Sequence, residues 1–214
     1  MSNILLENLP VANTRDQMHV GMLISNTDDV PAGKIRGEVF MELRDLDGNL
    51  LESRHLTNLI LLDASILIAI LLKDNTTRKG CNMLAVGTGA TGAILSPDAP
   101  DNRQRRLNAE IARKAFSSTQ FRDGSGNAVA YPTNVIDFTT VFGPGECTGP
   151  LSEMSLLSTI SNNPAITNNN PNAYPTRDTT IDVSSYDICL NRLTFSVISV
   201  PAAATIAFTW RLTC

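Results

Sequence analysis

Gly87-Thr88-Gly89-Ala90-Thr91-Gly92 has the GxGxxG spacing of a dinucleotide-binding turn, whose glycines let a pyrophosphate approach a helix N-terminus. The segment that follows, Ser96-Pro97-Asp98-Ala99-Pro100-Asp101, breaks a helix instead of opening one, so these glycines read as a turn. Nucleophilic catalysis needs a base beside the nucleophile. The chain has 2 histidines, His19 and His55, and no Gly-x-Ser-x-Gly elbow. Asp45 and Asp47 resemble part of a calcium loop, but Gly48 comes too early and no glutamate closes the loop, so a hairpin turn explains them. Cys81, Cys147, Cys189 and Cys214 show neither Cys-x-x-Cys spacing nor neighbouring histidines, and read as small packed thiols instead of a zinc cluster or a disulfide scaffold. No catalytic, cofactor-binding or metal-ligating residue is nominated, and neither an enzymatic activity nor a cofactor is expected.

One basic cluster stands out, with Arg103, Arg105, Arg106, Arg113 and Lys114 set against Glu110 in a chain of net charge -4. It reads as a solvated face, with docking on an acidic neighbour and phosphate binding as the alternatives. No aromatic residue is interleaved for base stacking before Phe116, and the overall balance is acidic, so nucleic acid is not an expected partner. Docking through these charges would make assembly salt-sensitive, because exposed charges are screened within about 10 Å at 0.1 M salt.

The elements that must carry these residues are mainly strands. With 214 residues, 43% hydrophobic and 18% charged, the chain suits one globular body. Val39, Met41 and Leu43 alternate with polar neighbours after Lys34, the turn Asp45-Leu46-Asp47-Gly48-Asn49 follows, and Leu50 to Thr57 returns. Strands are also expected at Cys81 to Val86, Ala115 to Phe121, and around Ile136, Phe138 and Phe142. Leu193 to Val197 is another. Ile206, Phe208, Trp210 and Leu212 give the strongest alternation and place Trp210 in the core. About eight short strands with turns between them predict an antiparallel β-sandwich.

Residues 58–73 predict one buried α-helix, N-capped by Asn58 and complemented by Lys73 at its C-terminal end. Its apolar run, Leu59 to Leu72, falls short of the roughly 20 residues of a bilayer span and carries Asp63 and Ser65, so no membrane partner is expected. Apolar side chains on nearly every side of it require that sheet or neighbouring subunits surround it. Residues 1–33 predict an extended N-terminal arm, or an edge strand around Val20 to Ser25, with Ile4, Leu5, Leu6, Leu9, Met22 and Leu23 too apolar for a free linker. The start lacks the positive and apolar regions of a secretory signal, which points to synthesis in a reducing cytoplasm. Between about 158 and 182 the composition turns to Asn, Thr and Pro, which predicts a long surface loop.

The order of motifs over residues 34–214 resembles a family of tailed-bacteriophage virion structural proteins. The matching pieces are Gly33-Lys34-Ile35-Arg36-Gly37, Thr57-Asn58-Leu59-Ile60, Leu84-Ala85-Val86-Gly87-Thr88-Gly89 and Leu107-Asn108-Ala109-Glu110-Ile111-Ala112-Arg113. After them come Leu151-Ser152-Glu153-Met154-Ser155-Leu156, Arg192-Leu193-Thr194-Phe195 and Phe208-Thr209-Trp210-Arg211-Leu212. The resemblance implies a non-enzymatic component of a tail, baseplate, neck or fibre base, or a capsid cement protein. It implies a homo-oligomer that docks on another virion protein (tail, neck or major capsid protein), made in the bacterial host cytoplasm and located in the virion. The arm, through Ile4, Leu5, Leu6, Leu9, Met22 and Leu23, and the basic residues Arg103, Arg105 and Arg106 are the candidate assembly contacts. Where the family pattern has glycine, this chain has Met154 or Ser155. The rival reading is a carbohydrate- or host-surface-binding module built on the Asn/Thr-rich loop, for which Tyr174 and Tyr186 are the nearby aromatics.

Overall fold

A computed structural model describes residues 35–73, 79–89, 106–159 and 187–214. They form a mainly β body of two antiparallel sheets with a single helix among the described residues. Sheet I runs β2 (Leu50–Thr57), β1 (Arg36–Arg44), β12 (Thr205–Thr213), β8 (Val135–Phe142), β6 (Ser118–Arg122) and β7 (Ala128–Val129). Sheet II runs β3 (Leu59–Ile60), β11 (Asn191–Val200), β9 (Gly149–Ser158), β4 (Met83–Gly87) and β5 (Glu110–Ala115), with β10 (Ile188–Cys189) also on β9. The predicted arm, the histidine within it and most of the predicted Asn/Thr/Pro loop lie outside the described residues. Strand β9 continues to Ser158, where the loop was expected to start.

The core lies between the sheets. Alternation along β1 and β12 turns Val39, Met41, Leu43, Phe208 and Trp210 inward, where they join Leu84, Val86, Leu156 and Leu193 of sheet II. Trp210 is buried, as its place in the strongest alternating run predicts. Phe142 and Phe208 meet edge to face at 6.1 Å. The Asp45–Asn49 turn forms as expected, with Gly48 at φ 84°. Asp45 Oδ1 accepts the backbone N–H groups of Asp47 and Asn49 at 3.0 and 2.8 Å. Asp123 does the same for Ser125 and Asn127 at 2.9 and 2.8 Å, so both edge hairpins of sheet I are closed by one device.

Three expectations are corrected. Asn58 does not cap a helix: Leu59 and Ile60 pair with Arg192 and Asn191, and α1 starts only at Asp63, running to Lys73. The Asn58 N–H instead donates to the Gly37 carbonyl at 3.2 Å, where the chain passes from sheet I to sheet II. The strand expected at Ala115 to Phe121 is two strands in different sheets, β5 and β6, divided at Phe116-Ser117. The charged run Glu110 to Lys114 is not simply a solvated face, because Glu110–Ala115 is the edge strand of sheet II and Arg113 is buried in it.

Helix α1 packs against β10, and its burial is one-sided. Ala64 and Leu67 face the core, whereas Leu62, Ile68 and Leu72 are exposed. Asp63, buried in the first turn, and Lys73 in the last complement the helix dipole. Among the described residues no helix is long and apolar enough to cross a membrane.

Candidate functional site

At strand β4, sheet II is buried on both faces. Leu84 and Val86 of β4 point into the main core, and Met83 and Ala85 point the other way, into a second cluster with Leu61, Leu107, Leu157 and Cys189. Register carries this second face along to a group of charges: Met83 pairs with Leu157, Ala85 with Ser155 and Gly87 with Glu153. A carboxylate placed there loses its water and needs other partners. Arg192 supplies the charge, its Nε and Nη2 each 2.8 Å from Glu153 Oε2. The backbone supplies the rest, with Ala109 N–H donating to Oε1 at 2.9 Å and Asn108 N–H to Oε2 at 3.1 Å.

The glycines of the GxGxxG stretch find their role here. A Cβ on Gly87 would meet Glu153 Oε1 at 2.7 Å and the Ala109 carbonyl closer still, so the strand can pass the carboxylate only without a side chain. Gly89, at φ 71°, offers its carbonyl to Asn108 Nδ2 at 3.2 Å and to Arg192 Nη2 at 3.4 Å. Ser152 Oγ donates to the Thr88 carbonyl. The described glycines therefore make room for a protein carboxylate and its cation.

A second cluster lies beside the first. Arg113 Nη2 donates to Glu110 Oε2 at 2.9 Å and Nη1 to Asp187 Oδ2 at 2.6 Å, and all three side chains are buried. Burial pushes the Glu110 carboxyl above its ordinary value against the pull of Arg113, and the nearby Asp187 and Glu153 charges add to the rise. Burial also works against the Arg113 charge, but its bonds to Glu110 and Asp187 prevail and hold the proton more tightly. Arg113 was expected on a solvated face. It is buried because its β5 position, opposite Ala85, turns it onto the second face of sheet II. Lys114, next along the strand, leans outward to Glu146. Of the predicted assembly contacts, Arg106 is exposed. Ile4, Leu5, Leu6, Leu9, Met22, Leu23, Arg103 and Arg105 lie outside the described residues.

Sheet I presents a contrasting outer face. Asp137 accepts Arg211 Nε and Nη2 at 2.8 and 3.0 Å and Arg122 Nε at 2.8 Å. Arg211 also lies 5.5 Å over the Phe40 ring, and His55 on the neighbouring strand stacks on the same ring, 4.5 Å between centroids and 6° from parallel. His55 Nε2 is 3.9 Å from Glu38, and its side chain is exposed.

The thiols are dispersed as expected: Cys147 and Cys189 are buried, Cys81 half-buried and Cys214 exposed, all free. Burial pushes the Cys147 and Cys189 thiols up to about 12, which keeps them protonated at neutral pH. Among the described residues no group of His, Cys, Asp or Glu side chains is placed to hold a metal ion.

Glu153 and Arg192 were not singled out as a pair from sequence. Their signal was a lone charge inside an apolar run, Leu151-Ser152-Glu153-Met154 and Asn191-Arg192-Leu193. Four of the motif pieces, those containing Gly89, Asn108, Glu153 and Arg192, meet in this one knot although up to 103 residues separate them. No protein-family model, curated protein or solved structure matches the chain. Fold and site together define a class: a two-sheet antiparallel β protein whose second sheet is held by internal ion pairs.

Proposed function

We propose that this chain is a non-enzymatic structural protein of a tailed-bacteriophage virion, one that self-associates and docks on another particle protein as a tail, baseplate or neck component or as capsid cement. The observation that carries the reading is the convergence of the motif pieces on the Glu153–Arg192 knot. There the groups with the most chemical potential are bound to one another and to backbone, and act as scaffold. The surface adds support: Leu46, Leu50 and Leu51 at the β1–β2 hairpin and Leu62, Ile68 and Leu72 at α1 are large apolar side chains left exposed.

Immunogold labelling of purified particles with an antibody to this protein tests the reading. Label on the head surface identifies cement, and label confined to the neck, tail or tail tip identifies an adaptor or baseplate component. Particles without label above background overturn it.

A further inference from the structure

We propose that the exposed apolar side of α1 is the docking site for the segment Ile4 to Leu9 of a second copy of this chain; the inference rests on the self-associating reading above and names its contact. Leu62, Ile68 and Leu72 are 47%, 36% and 83% exposed, and Ala69 is exposed among them. Positions three and four apart share one side of a helix, so Ile68, Ala69 and Leu72 make one exposed apolar patch opposite the buried Ala64 and Leu67, with the exposed Ser65 between it and Leu62 just ahead of the helix.

The occupant follows from the chain that precedes β1. Residues 1–14 contain Ile4, Leu5, Leu6 and Leu9 with Glu7 as their sole charged side chain. Lys73, exposed in the last turn of α1, is that helix's sole base and gives Glu7 a partner of opposite sign. The root of the arm is also fixed. Ile35 packs against the main core, and two residues on, the Gly37 carbonyl accepts the Asn58 N–H at 3.2 Å, on the strand crossing that leads into α1. The helix of 11 residues is about 16 Å long, whereas the chain from Leu9 to Ile35 reaches on the order of 85 Å when extended. A segment meant for the helix beside its own root would need a fraction of that length. The reach suits the same helix on a neighbouring molecule.

The test uses the full chain with Cys214→Ser, co-expressed as two differently tagged populations, one carrying Leu5→Cys and the other Ala69→Cys. The expected result is a disulfide-linked species bearing both tags, formed in far higher yield than when Leu46→Cys at the hairpin tip replaces Ala69→Cys. Ile68→Glu with Leu72→Glu should abolish the link and weaken self-association about tenfold or more, while the exposed positions leave the unfolding midpoint unchanged. Glu7→Lys should weaken the link, and Lys73→Glu added to it should restore the yield. A link that forms only when both cysteines sit in one molecule overturns the proposal, since the arm then covers its own helix. Self-association that persists with no link between tags removes this contact and leaves the assembly reading standing. A monomeric chain that is also absent from particles removes both.

Discussion

Glu153 and Asp137 are both carboxylates on sheet faces turned away from the main core, each gripped by arginine, but they stand in different surroundings. The Glu153 and Arg192 side chains are 0% and 1% exposed, whereas Asp137, itself 2% exposed, is covered by arginines that are 26% and 28% exposed. Sheet I needs only one buried face, because water and long arginine stems finish the other. Sheet II is covered on both around Glu153, so the charges there are held by one another and by backbone groups. One ion-pair chemistry thus serves as surface dressing on one sheet and as core on the other.

The sharpest test of that difference is Glu153→Ala, which takes the carboxylate from the buried Arg192 and removes the acceptor from the Asn108 and Ala109 N–H groups. A loss of about 3–5 kcal/mol is expected in urea unfolding. Replacing both partners, Glu153→Leu with Arg192→Leu, should not recover the parent stability. An apolar pair can replace the charges but cannot accept the two N–H groups, so full recovery would show that the backbone contacts carry nothing. Next in size is Gly87→Ala, where the added methyl would be forced against Glu153 Oε1 and the Ala109 carbonyl. About 1–3 kcal/mol is expected, and a neutral result would mean that β4 shifts freely past the carboxylate.

On sheet I the matching change is Asp137→Asn, which weakens three charge-assisted bonds to arginines that water can reach. The expected cost is about 1–2 kcal/mol. It should shrink as salt rises, whereas the cost of Glu153→Ala should not, because screening acts on exposed pairs. Equal salt dependence of the two variants would erase the distinction between the faces.

This contrast also explains what was legible in the sequence. Sheet I strands have one wet face, so Val39, Met41 and Leu43 and then Ile206, Phe208, Trp210 and Leu212 alternate and announce themselves. The Asp45–Asn49 turn is legible for a similar local reason, since the Asp45 side chain closes its own loop. Strand β9 is not legible: Ser152, Glu153 and Ser155 occur among Leu151, Met154 and Leu156, with polar residues on a buried face, so period two is lost. The charged run at Glu110 to Lys114 misleads in the same way, because charge reads as solvent until a buried partner such as Asp187 is known. The helix start was misplaced because Leu59 and Ile60 are equally good as strand, and only their pairing with β11 decides.

The smallest effects concern pH, and they run in opposite directions on the two sheets. The carboxyl of Glu110, raised by burial above its ordinary 4.5, contributes stability that is full below 4.5 and lost as pH rises through its folded value. At the sheet I hairpins, the Asn49 side chain holds the Asp45 carboxyl below 3.8, and the Asn127 backbone N–H and side chain do so for Asp123. Their contribution is complete above 3.8 and lost as pH falls through the lowered folded values. Glu110→Gln should therefore flatten the decline in unfolding free energy as pH rises above 4.5, leaving the acid limb in place. Asp45→Asn with Asp123→Asn should soften the acid limb and leave the rest of the profile alone. If Glu110→Gln left the slope above pH 4.5 unchanged, burial would not be straining that carboxyl, and the second face of sheet II would be wetter than its packing implies.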